Sequence, residues 1–82
     1  MALKFTEIRT SNWLNINTGK SCKIISTKLD NGDWRFAFSH WNPFPCKVME
    51  GSFSVLAEWL LANGWVHDKS KADMVFIECT QQ

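Results

Sequence analysis

The chain has 82 residues, enough for one compact domain over 1–82 and no more, and a domain of that size buries only roughly 60% of the surface its unfolded chain exposes. Nine Lys and Arg stand against eight Asp and Glu, for a net charge of +1. That balance excludes a strongly basic nucleic-acid footprint and an acidic mimic of nucleic acid. Five Trp and six Phe with no Tyr supply bulk to a thin core, and they exceed what one thin core hides, so one to three should be partly exposed.

In chain order, residues 3–9 alternate loosely and read as a first strand, broken at Ser11-Asn12. Residues 13–17 alternate again, with Trp13, Asn15 and Asn17 on one face, and 17–20 read as a turn. This first strand, if short, is an unprotected edge that invites self-association.

Residues 22–29 and 33–41 flank Asp30-Asn31-Gly32-Asp33. Asn-Gly suits a two-residue type I′ turn and predicts a hairpin. That turn would pair Leu29 with Trp34, Thr27 with Phe36 and Ile25 with Phe38 on the core face. The other face would pair Lys28 with Arg35, Ser26 with Ala37, Ile24 with Ser39 and Cys22 with Trp41.

Trp41-Asn42-Pro43-Phe44-Pro45 puts two large aromatics and two prolines in a segment that regular helix and central strand both exclude. It reads as a rigid lid or a contact surface. Residues 46–49 suit a short strand, and Ser52 or Ser54 should cap a helix over about 53–63. Gly64 stands where a left-handed C-terminal cap belongs. Phe53, Leu56, Leu60 and Leu61 form the expected buried stripe, widened by Val55, Trp59 and Ala62. Residues 65–67 are extended, 68–71 a polar turn, and 74–79 a closing strand. That strand is apolar on both faces, which predicts a central or covered position. The expected fold is α+β: a mostly antiparallel sheet of four to six strands with one helix packed on one face.

Chemical motifs are weak. Gly19-Lys20-Ser21 lacks the upstream Gly and the following helix of a phosphate loop. Cys22, Cys46, Cys79, His40 and His67 lack the close spacing of a structural metal site, and Cys22 and Cys79 read as core fillers. Cys46 beside His40 or His67 would be the only nucleophile pair, with no oxyanion hole in view. Asp30 and Asp33 are turn residues. No catalytic, cofactor-binding or metal residue is assigned. No run of about 18 apolar residues spans a membrane, the opening residues lack a signal-peptide core, and unspaced Cys suit a reducing compartment. The expected location is cytoplasmic.

The sequence therefore points to a small non-catalytic module, an inhibitor or adaptor docking on a larger protein or protein complex. Anti-defence and anti-CRISPR proteins of phages and mobile elements are analogous in size and style only. Trp41 and Phe44 are the expected anchors, with Trp13 or Trp59 assisting and Lys28 and Arg35 meeting acidic groups. The alternative is single-stranded nucleic acid on the outer face, held by Lys23, Lys28, Arg35 and Lys47 beside Trp41 and Phe44.

Overall fold

In the computed structural model, residues 3–40 and 47–81 are described. Six strands and one helix follow the order β1 (Leu3–Asn15), β2 (Ser21–Lys28), β3 (Trp34–His40), β4 (Lys47–Gly51), α1 (Phe53–Ala62), β5 (Trp65–His67) and β6 (Met74–Gln81). The α+β expectation is met: every strand pair is antiparallel and the one helix lies on one face. Among the described residues, no helix is long and apolar enough to cross a membrane.

The sheet order is β4-β3-β2-β1, and the far edge of β1 is shared by two strands. β5 pairs with its end at Trp13–Asn15, and β6 pairs with Leu3–Thr10. Two expectations change here. Ser11 and Asn12 do not break the first strand, because both stay in the ladder with β2. β1 is a central strand of 13 residues, not a short edge.

The register of the β2–β3 hairpin also differs from the two-residue turn. The Leu29 N–H donates to the Asp33 carbonyl at 2.8 Å, and the Gly32 N–H donates to the Leu29 carbonyl at 3.1 Å. Gly32 has φ +90°, and the Asn31 side chain accepts from the Asp33 N–H at 2.9 Å. The loop is thus three residues long, a tight turn closed by a left-handed Gly. One extra loop residue turns every β2 side chain to the other face. Lys28 now opposes Trp34, Ser26 opposes Phe36 and Ile24 opposes Phe38, while Thr27 opposes Arg35. Lys28 and Arg35 are therefore on opposite faces and no like-charge pair forms.

On β3 the inward set is as expected, with Trp34, Phe36 and Phe38 buried. On β2 it is Cys22, Ile24 and Ser26 that are buried, rather than Ile25, Thr27 and Leu29. α1 closes this face with Leu56 and Leu60, joined by Trp65. Ser52 caps the helix by accepting from the Val55 N–H at 3.3 Å. Phe53 leans its ring on Trp34 and Phe36, at 4.7 and 5.4 Å between centroids. Leu61, expected in the stripe, faces solvent.

The helix C-terminus is tied to the end of β1. Asn15 donates from Nδ2 to the Asn63 carbonyl at 3.1 Å, and Ile16 N–H donates to the Gly64 carbonyl at 2.9 Å. Gly64 has φ +82°, and a Cβ there would press on the Asn17 side-chain amide. Gly32 has open space instead. Gly64→Ala and Gly32→Ala should each cost about 1 kcal/mol, because both put a Cβ on left-handed backbone and the Asn17 amide beside Gly64 is the far end of an exposed side chain that can swing clear. Urea unfolding of the two variants checks this, and an unchanged stability in either would contradict it.

Candidate functional site

Partners across a ladder share a face, which traces the helix side of the sheet outward from the core. Ser26 opposes both Phe36 and Arg9, and Arg9 opposes Val75. Continuing along β1 and β6, Glu7 opposes Ile77 and Phe5 opposes Cys79. Leu3, Phe5, Val75, Ile77 and Cys79 therefore extend the same face that α1 covers over β2 and β3. Lys4, Thr6, Ile8, Phe76 and Glu78 alternate onto the reverse face. Residues 3–6 follow the period-2 pattern of a strand with one face covered, whereas β6 is apolar on both faces, with Met74 and Phe76 exposed on the reverse side.

No element among the described residues covers it. Leu3 is 59% exposed, Phe5 66%, Val75 62% and Ile77 63%. At roughly 200 Å² for a large side chain laid fully open, these four bare on the order of 500 Å², the size of a functional apolar patch on a monomer. The closing strand is thus neither central nor covered. It is an edge strand with one neighbour, β1, among the described residues. Cys79, expected as a core filler, is exposed, while Cys22 is buried as expected.

Arg9 stands where the covered and bare halves meet. Its guanidinium carbon lies 5.2 Å from the Trp34 ring centroid and 5.7 Å from that of Phe53, and its Nε is paired with the Glu7 carboxylate. The cation caps the aromatic end of the core, and the acid beside it, opposite Ile77, sets a charged pair within the bare face. Beside this border lies a groove of about 290 Å³, lined by Arg9, Trp13, Phe53, His67, Asp73 and Val75 among others. His67 Nε2 and Asp73 Oδ2 are 2.8 Å apart across the loop that joins β5 to β6. In that loop the Ser70 hydroxyl and N–H donate to the Asp68 carboxylate and hold its pKa below the ordinary value.

The residues singled out from sequence are dispersed. Trp41 and Phe44 lie outside the described residues, as does Cys46. Trp13 is half-buried; its Nε1 donates to Ser11 Oγ at 2.9 Å and its ring meets His67 edge-on at 5.3 Å. Trp59 is half-buried and packs edge-on against Phe38 at 5.3 Å. Lys28 lies 6.0 Å from the Trp34 ring centroid on the helix side. Arg35 is on the reverse face, with Nη2 at 3.4 Å from Glu50 Oε2 on β4. Among the described residues no three His, Cys, Asp or Glu side chains converge on a metal-sized site.

Sequence reasoning missed the bare ribbon. Its signal was partial: Leu3, Lys4, Phe5 and Thr6 alternate, whereas Val75-Phe76-Ile77 is apolar on both faces and does not say which one is bare. Knowing that one helix covers only part of the sheet would have found it. Set against known protein families, curated proteins and solved structures, the chain matches none.

Thr10 lies behind this face, on the reverse side, opposite Ile25 and Met74. It is buried, and its hydroxyl has no hydrogen-bond partner among the described residues. Thr10→Val keeps the shape and removes the orphaned hydroxyl, so it should stabilise the fold by about 1 kcal/mol. Chemical denaturation reads this directly; a loss of stability would mean the hydroxyl is satisfied.

Proposed function

We propose that this protein is a small non-catalytic module that acts by docking another protein onto the bare helix-side face of the β1–β6 ribbon. The reading is carried by one observation: four large apolar side chains, Leu3, Phe5, Val75 and Ile77, share one face and are each about three-fifths exposed. Water is a poor environment for such a face, and burying it is the main driving force available to a near-neutral surface. The Arg9–Glu7 pair lies within the same face, opposite Val75 and Ile77, and gives the apolar surface a polar contact of its own. Inhibition or adaptation of a larger protein is the activity such a module would have.

Binding of single-stranded nucleic acid is the second reading. Lys23 and Lys71 border a shallow reverse-face groove with Asn12 and Ser39, which offers cations and polar donors. It ranks lower because Arg35 and Lys4 are each already paired with a carboxylate, Glu50 and Asp30.

The docking reading is tested by comparing wild type with the double variant Phe5→Ser, Ile77→Ser as baits in extract of the cells that encode the protein. Anchors of this size contribute about 2 kcal/mol or more each, so proteins retained by wild type should be lost from the variant. Identical retention by a folded variant would overturn the reading.

A further inference from the structure

We propose that the occupant of the bare half-face is a second copy of this chain, ribbon packed on ribbon about a two-fold axis. The inference rests on the same bare face as the docking reading, and a dimer would withhold that face from a larger partner until the copies separate. Height is the first argument. Stacked sheets lie about 10 Å apart and a helix is about 10–12 Å thick, so a second ribbon laid on Leu3, Phe5, Val75 and Ile77 continues the layer that α1 begins.

Area is the second. The four bare side chains supply on the order of 500 Å², and Cys79 with the exposed flank of Phe53 on α1 brings each copy toward the roughly 800 Å² per partner of a standard interface. Charge is the third. On this face, among the described residues, the ionised groups beside the bare side chains are Glu7, Arg9 and, on neighbouring β2, Lys28, which lines a groove with Phe5, Glu7 and Ile77. A two-fold contact applies the same patch to itself, so the Glu7 of each copy can be set against a cation of the other. The net charge of +1 adds little long-range repulsion between copies. Such an isologous contact also closes at two.

Sedimentation equilibrium from about 5 µM to about 500 µM tests this, a range that spans ordinary dimer affinities. The wild type should reach twice its 9.5 kDa mass. Ile77→Glu should stay monomeric with an unchanged far-UV circular dichroism spectrum, and Arg35→Ala, on the reverse face, should dimerise like wild type. If Ile77→Glu does not fold, the wild type itself carries the test: alkylation of Cys79, mapped by mass spectrometry, should slow about tenfold between the ends of the range as the dimer fills. A wild type monomeric throughout, a folded Ile77→Glu that still dimerises, or a Cys79 rate independent of concentration would each overturn the proposal. A monomeric wild type whose retained proteins are still lost with Phe5→Ser, Ile77→Ser would remove the second copy and leave the docking reading standing; a dimer with unchanged retention would do the reverse.

Discussion

A mismatch of lengths shapes this molecule. β1 has 13 residues and runs about 43 Å at roughly 3.3 Å per residue. α1 has ten and reaches about 15 Å at 1.5 Å per residue. One short helix cannot cover a sheet built on so long a strand, so the sheet divides into a covered half and a bare half. The shape follows: the principal extents are 49 × 24 × 21 Å and the radius of gyration is 13.9 Å, against about 12 Å for a compact chain of this length. The packed and the exposed apolar surfaces are thereby separated. β2, β3 and α1 hold the core, while β6 and the first residues of β1 present the apolar face.

The covered half depends on the loop between β2 and β3. Closing that loop with three residues sets Ile24 opposite Phe38 and Ser26 opposite Phe36, and the helix packs on that set. Arg9 then links the halves, lying over Trp34 and Phe53 on one side and bound to Glu7 on the other. Its aliphatic stem and its charge both serve, since a guanidinium covers aromatic surface without a heavy desolvation cost. The border between core and bare face is therefore a cation laid on aromatic rings rather than an open seam.

Much of the fold was legible in the amino-acid sequence because local chemistry decided it. Ser52 and Gly64 mark the helix ends, and alternation along 34–38 puts Trp34, Phe36 and Phe38 inward whatever the turn. The face of β2 was not legible. Asn31-Gly32 fits a two-residue turn as well as a three-residue turn closed by Gly32, and the two place opposite sets of β2 side chains inward. β6 was misread for a different reason. A run such as Met74-Val75-Phe76-Ile77 states that apolar groups need burial, and it does not state whether the covering surface comes from the same chain. The candidate site failed to emerge for the same reason, since Trp13 and Trp59 looked like spare aromatics and instead pack on the core, while Leu3 and Phe5 looked like ordinary strand residues and are bare.

A bare two-stranded ribbon has little to hold it closed on its own, whereas strands under the helix open only with the whole domain. Native-state hydrogen exchange of the isolated protein at its lowest workable concentration measures this directly. The account predicts that the ladder-bonded amides among residues 3–7 and 75–79 exchange through local opening, at least about a hundredfold faster than the ladder-bonded amides among Ile24, Phe36 and Phe38, a gap of about 2.7 kcal/mol. Ribbon amides as slow as those core amides, at the same dilution, would contradict it.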